Sequence, residues 1–410
     1  MRKRIFALLV GMLFLFVGCA PKIQGEDLMK DVKQNAKPDV QLSEVNSIAL
    51  TDFAVRLFQA SVEEGKNTLI SPLSVLSALA MTANGAKGET LSQMEAVLGM
   101  STDKLNDYFS SYMKALPQGD KYKLNLANSI WFRDDERFTV NDDFLQINAD
   151  YFDADIYKIP FENKAVKDIN NWVKEKTDGM IPEILDEIKK DDIMYLVNAL
   201  TFEAEWANIY TRDDVRRGTF TTEDGKKQEA EYMHGTEHIY LQDDHATGFV
   251  KYYKEGKYAF VALLPNESVS VEEYVKGLDG EYLNTLLTNG LNTSVVTTIP
   301  KFETESNLEM TDILREMGMK DAFTPSANFS GLGTTTREYI LIDRVLHKTF
   351  ISVAEKGTKA GAVTMVAIAD GTSAMLERKE VYLDRPFVYM LIDFESKVPF
   401  FIGTMMNLNK

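Results

Sequence analysis

A single cysteine, Cys19, stands in a chain of 410 residues, so no disulfide can form within it. Packing must hold the fold together, and with 45 % hydrophobic residues the chain can bury a sizeable core. Histidine is nearly as scarce: His234, His238, His245 and His347 complete the set. His234 and His238 lie four apart, but Gly235 and Thr236 between them favour a turn over a helix. No His/Cys/carboxylate cluster has metal-ligand spacing, and neither a metal nor a cofactor is expected. Positive charge is short as well. Lys and Arg number 45 against 62 Asp and Glu, a formal net charge of −17. That excludes nucleic acid, polyanions and anionic membranes as the main partner. Only 11 prolines occur, and no Gly/Ser-rich or charge-block stretch divides the body. Residues 42–410 are therefore read as one domain.

The first 19 residues read as an export signal. Arg2, Lys3 and Arg4 precede an apolar run from Ile5 to Val17, too short for a membrane span and right for a signal peptide. The Phe16-Val17-Gly18-Cys19 end resembles the bacterial lipobox, whose cysteine becomes the lipid-modified first residue of the mature protein. Phe16 stands where leucine is usual. An ordinary cleaved signal with an incidental cysteine is the plainer alternative. The lipoprotein reading places the protein in the cell envelope, touching membrane only through lipid at Cys19, with residues 20–41 as a polar tether.

Helical spacing marks Val45–Glu63, a helix from Pro72 to Thr82 capped by Ser71, and another from Glu89 to Leu98 stopped by Gly99. Leu124–Phe132 and Asp155–Ile159 read as strands flanking a helix near Asp142–Asp150. Val166, Ile169 and Val173 share one further helical face. Ile193–Phe202 is a near-continuous apolar strand, the mark of a strand covered on both faces. Strands and turns fill Gly218–Leu264. Helical spacing returns at 271–287 and 307–318. Leu341–Ala354 is again a strand, and Phe387–Phe394 pairs with Val398–Gly403 as a hairpin. Helices crowd the first half and strands the second, so the class is α+β.

The most informative stretch runs from Glu355 to Phe387. Read with a period of two, Thr358, Ala360, Ala362, Thr364, Val366 and Ile368 share one uncharged face. Lys359 falls on the other, with Gly361, Val363, Met365 and Ala367. Burying an unpaired ammonium costs several kcal/mol, so this segment is composed as though it could become a central strand. A small-residue loop feeding an ordinary edge strand would look similar.

These residues and others together resemble the serpin family from about Leu42 to Asn407. The resemblance is carried by Ser71-Pro-Leu-Ser74 with Leu79-Ala-Met81 and Gly85-Ala-Lys-Gly-Glu-Thr90. It continues through Asn128-Ser-Ile-Trp131, Leu196-Val-Asn198-Ala to Trp206, and His347-Lys348. It closes with Glu355-Lys-Gly-Thr-Lys-Ala-Gly-Ala362 and Leu383-Asp-Arg-Pro-Phe387. The fold it implies has a large central β-sheet, two further sheets, eight or nine helices and an exposed reactive loop. The function it implies is suicide inhibition of a protease, not enzymatic turnover, by a monomer whose partner is the target protease. Glu355, Gly357, Thr358, Ala360 and Ala362 match the loop hinge. Ser71, Ser74, Asn198 and His347 match a polar cluster beneath the strands that part. Ser71 as a mere helix cap and His347 as a satisfied core histidine are compatible with that role. The family's spacing from Glu355 puts the reactive bond at Gly371–Thr372, with Ala369, Asp370 and Met375 as alternative cleavage positions. The family usually has an acidic or neutral residue where Lys359 stands. No Arg or Lys lies between Ala360 and Glu377, so elastase-like or subtilisin-like targets are expected rather than trypsin-like ones. A non-inhibitory scaffold or binding lipoprotein of the same fold is the alternative. It would be signalled by charged or bulky residues at the inward hinge positions, and those are small here.

The anchoring reading has a direct test. Cys19→Ser should abolish acyl labelling and release the protein into soluble fractions. Unchanged membrane partitioning would exclude lipid attachment.

Overall fold

The computed structural model describes residues 23–40, 43–115, 122–189, 191–358 and 378–408. Cys19, Lys359, Ala360, Ala362, Ala369, Asp370, Gly371, Thr372 and Met375 lie outside them.

The chain first forms β1 (Glu26–Asp27), α1 (Glu44–Ser61), β2 (Thr68–Ile70), α2 (Pro72–Ala83), α3 (Gly88–Leu98) and α4 (Thr102–Ala115). Then come β3 (Tyr122–Arg133), β4 (Phe138–Val140), α5 (Asp142–Phe152), β5 (Asp155–Ile159), α6 (Asn163–Lys176) and β6 (Met194–Glu205). The middle holds β7 (Val215–Thr221), β8 (Lys227–Gln242), β9 (Ala246–Tyr252), β10 (Tyr258–Pro265), α7 (Val271–Lys276), α8 (Gly280–Thr288) and β11 (Leu291–Pro300). Next are β12 (Phe302–Glu309), α9 (Thr311–Glu316), β13 (Gly333–Thr335), β14 (Arg344–Ala354) and β15 (Gly357–Thr358). β16 (Lys379–Tyr382), β17 (Phe387–Asp393) and β18 (Pro399–Met405) complete the order.

Among the described residues these build a seven-stranded sheet, a nine-stranded sheet and a two-stranded ribbon, with nine α-helices. The seven-stranded sheet runs β1-β5-β3-β6-β15-β14-β12, and the nine-stranded one β16-β11-β8-β9-β10-β17-β18-β2, with β7 on β8. This is the α+β architecture expected from the sequence. β10 and β18 are buried at every residue, as apolar strands covered on both faces must be. α2 is buried all round. It can be, because its polar residues are Ser and Thr, whose hydroxyls pair within the helix (Thr82) or with side chains of the strands above it (Ser74 with Asn198, Ser77 with Asn128). Thr82 Oγ1 donates to Ala78 O, and Ser71 Oγ caps the helix from its N-terminus.

Several boundaries differ from the sequence reading, each for a physical reason. The helix expected over 307–318 is only α9, because β12 alternates outward Glu303 and Glu305 with inward Phe302 and Thr304 up to Glu309. The pattern over 271–287 is two helices. Gly277 closes the first, and Asp279 caps the second by accepting the Tyr282 N–H at 2.7 Å. His234 and His238 lie in the long strand β8, not in a turn. α4 lies where the sequence reading places no helix, and it forms on the helical spacing of Leu105, Tyr108, Phe109 and Tyr112.

Within the segment read as a polar tether, residues 23–40 are docked. Glu26 and Asp27 add an edge strand to β5, and the Gln24 N–H donates to Asp168 Oδ2 at 3.1 Å. Further along, the Asp150 carboxylate accepts the Asn35 backbone and side-chain N–H groups at 2.7 and 3.2 Å, and Gln146 Nε2 at 2.7 Å. Lys37 Nζ pairs with it at 3.1 Å. Burial works against that carboxylate, but the hydrogen bonds from Asn35, Lys37 and Gln146 outweigh it and hold its pKa below the usual range. Composition reported the polarity of this segment, not the acceptor waiting for it on α5.

Asp150→Ala removes an acceptor of charge-assisted bonds and should cost about 2 kcal/mol. Limited proteolysis should then cut ahead of Ser43 while the body stays intact. Unaltered protection of residues 23–40 would show that Asp150 does not hold them.

Candidate functional site

The site is the seam between β6 and β14, whose two strands run parallel. Their paired rungs go from Tyr195 with Arg344 up to Ala199 with Lys348, and no further. At the mouth of the seam β15 is already seated between them, antiparallel to both. Thr358 pairs with Ala204 on one side and Val353 on the other. Gly357 is required there by sterics. Its φ is +152°, and a Cβ would meet the Ala204 carbonyl oxygen at 1.9 Å.

The turn leading into β15 is held by one loop. The Trp206 N–H donates to Lys356 O, the Trp206 indole N–H to Ala354 O and the Tyr210 N–H to Glu355 O, each at 2.9 Å. Lys301 Nζ bridges Glu355 at 2.8 Å and Glu231 at 2.9 Å. Burial raises the pKa of the Glu355 carboxyl, but the Lys301 hydrogen bond prevails and leaves it lowered. Thr358 is buried at 1 % exposure, and its hydroxyl bonds the Tyr253 hydroxyl at 2.5 Å. Tyr253 in turn stacks on Trp206, ring centroids 4.4 Å apart.

Ser71, Ser74, Asn198 and His347 come together halfway down the seam, all at 0 % exposure. Asn198 and His347 are a cross-strand pair, and α2 begins directly beneath them. The Ser71 N–H donates to His347 Nε2 at 2.9 Å. That nitrogen is therefore unprotonated, and Nδ1 carries the hydrogen that it donates to Asn198 Oδ1 at 2.8 Å. Ser74 Oγ–H donates to the same oxygen, and Asn198 Nδ2 donates to Leu346 O at 3.2 Å. Burial without a counter-charge pushes the His347 pKa down to about 3. Nε2 is thus occupied by a backbone N–H, and among the described residues no serine hydroxyl is bonded to it as a nucleophile would be to its base.

Sequence reasoning missed the neighbours that extend this cluster. Asn128 stands opposite Asn198 on β3 and donates to Ser77 Oγ at 2.8 Å. Thr349 Oγ1 donates to Leu69 O, and the Leu69 N–H to Ser306 Oγ, both at 2.9 Å. An Asn inside an apolar strand was the available signal. At the base of the seam Asp343 Oδ2 accepts the Ile193 and Met194 N–H groups at 2.5 and 2.9 Å. Burial nevertheless raises this carboxyl to about 6.

The family model described as Serpin (serine protease inhibitor) matches residues 48–408. An uncharacterized serpin-like protein of Thermococcus kodakarensis is 30 % identical over 370 residues, covering 88 % of this chain and 85 % of its own. Human Serpin B8 is 30 % identical over 369 residues, 86 % of this chain and 96 % of its own. The crystal structure of the thermophilic serpin tengpin in its native state matches with a TM-score of 0.90 at 46 % identity, covering 94 % of this chain and all of that one. The latent state of the same protein matches at 0.81. The present arrangement is therefore closer to the native form.

The neutral imidazole sets a pH dependence. The unfolded histidine has a pKa of about 6.5 and the folded one about 3. Between those values the unfolded chain binds a proton that the folded one refuses. The stability contribution is fully present above pH 6.5 and is lost as pH falls toward 3, by roughly 1.4 kcal/mol per pH unit. His347→Gln should flatten that part of the pH–stability curve relative to the parent. Parallel curves for the two proteins between pH 6 and 4 would contradict a buried neutral His347.

Proposed function

Because the chain belongs to the serpin family, we propose that it is a suicide-type protease inhibitor whose exposed loop, once cleaved, inserts into the seven-stranded sheet. The observation that supports this most is the seating of β15 between β6 and β14. Continued in the same register, residue 364 reaches the rung of Asn198 and His347, and residue 368 that of Met194 and Asp343. The uncharged alternation from Thr358 to Ile368 spans that slot.

The sequence of events follows. A protease nucleophile attacks the scissile carbonyl, an acyl-enzyme forms, and the downstream residue leaves as a new amino terminus. Release of the loop end then lets the strand propagate down the seam. Each added rung breaks any β6–β14 contact in its path and makes ladder bonds on both sides. At about 1 kcal/mol net per backbone hydrogen bond, some ten residues supply on the order of 10 kcal/mol. The acylated protease, carried across the molecule and distorted, fails to complete hydrolysis. The polar cluster of Ser71, Ser74, Asn198 and His347 would hold the seam closed until then. Serine-type proteases of elastase-like or subtilisin-like preference fit the small and aliphatic residues before Gly371–Thr372. Lipid at Cys19 would place the inhibitor in the cell envelope.

Incubation with a protease panel and denaturing electrophoresis tests this reading, and an inhibitor leaves a covalent complex. Mass spectrometry of the released peptide should place the cut between Ala369 and Met375. Thr358→Arg forces a guanidinium into the slot, where an unpaired charge costs several kcal/mol. Cleaved product should then replace complex. A Thr358→Arg protein that traps protease as well as the parent would refute insertion by this strand, and the absence of complex with every protease would favour a non-inhibitory scaffold.

A further inference from the structure

Beneath the Trp206–Tyr210 loop lies an ion pair taken almost wholly out of water. Lys251 Nζ on β9 meets Glu237 Oε1 on β8 at 2.7 Å, with side-chain exposures of 2 % and 8 %. A second ammonium hydrogen goes to the Asn208 carbonyl at 3.2 Å. The charge also lies 4.4 Å from the centre of the Tyr210 ring and 5.3 Å from that of Trp206. The ammonium is thereby saturated: carboxylate, carbonyl and two aromatic faces surround it.

Stability does not call for charge at this position. A buried ion pair is often replaceable by apolar side chains of similar volume at no cost, because the Coulomb gain barely offsets desolvation. What an apolar pair could not do is fix the backbone of Asn208 and the planes of Trp206 and Tyr210 together. Those two residues supply the N–H groups that hold the carbonyls of Ala354, Glu355 and Lys356. Residues 207–210 have no helix or strand of their own to set their course.

We propose that Lys251, with Glu237 as its counter-charge, is a positioning residue that shapes the Trp206–Tyr210 loop into the seat of hinge strand β15. The consequence for inhibition rests on the reading of the preceding subsection. A seated β15 is a preformed first rung, so insertion propagates rather than nucleates. A loosened seat lets the hinge leave the mouth of the slot, and cleavage then outruns insertion.

Lys251→Met alone strands the Glu237 charge and is prone to misfolding, so the informative protein is the double variant Glu237→Gln/Lys251→Met. Its melting temperature should stay near the parent's. Hydrogen exchange at the Trp206 and Tyr210 amides should quicken about tenfold or more, with the amides of β10 and β17 unaffected. Titrated against a protease that the parent traps, the variant should need several-fold more inhibitor per protease at an unchanged rate of loop cleavage. Unchanged exchange at Trp206 and Tyr210 overturns the proposal, and quicker exchange with the parent's stoichiometry overturns its consequence for inhibition. If the parent traps no protease, the inhibitor reading falls and exchange alone decides whether Lys251 shapes the seat.

Discussion

β6 and β14 pair unequally along their shared seam, and α2, the Trp206–Tyr210 loop and the polar cluster are all arranged around that gap. β6 and β14 are bonded to each other only over their lower halves, and two residues of β15 occupy the mouth. Between those levels the two strands have no rungs in common. A sheet left so is short of ladder bonds it could make, and backbone groups are obligatory hydrogen-bonders. The surrounding parts keep this state in place: α2 beneath the sheet, the Trp206–Tyr210 loop at the mouth and Asp343 at the base.

The polar cluster on the seam shows how such a state is tolerated in a core. Ser71, Ser74, Asn198 and His347 are fully buried, and each has a partner with complementary donor or acceptor character. An apolar replacement would pack, but it would not tie β14 to β6 and to the start of α2 at once. The neutral imidazole matters most, because it accepts from α2 through one nitrogen and donates to β6 through the other. A charged ring could not do both. The proposed inhibition places the disruption of these bonds in the path of the inserting strand, which is why their strength bears on function and not only on stability.

Much of this was legible in the chain. Ser71 before Pro72 announces the start of α2, Gly99 the end of α3, and the unbroken apolar run over Ile193–Phe202 a covered central strand. The motif resemblance led to the seam residues. Other parts were not legible for specific reasons. The helical count over 307–318 mixed the end of β12 with α9, since a few apolar residues fit either period. The docking of residues 23–40 uses β5, Asp150 and Asp168, all more than a hundred residues away in sequence. Nothing in the residue types of Asp343 and Lys251 marks them as buried, because burial is not a property of a residue type.

Most of the elements, the two-faced alternation after Glu355 and the family resemblance were set in the sequence alone, because all of them are local patterns of residue type and spacing. That Thr358 is already inside the sheet, that Asn198 and His347 share a rung, and that the Lys251 ammonium lies under Trp206 emerged only in the folded molecule. Those facts are set by which strands become neighbours and in which register. Register depends on contacts between segments roughly 150 residues apart, which no short window of the chain contains.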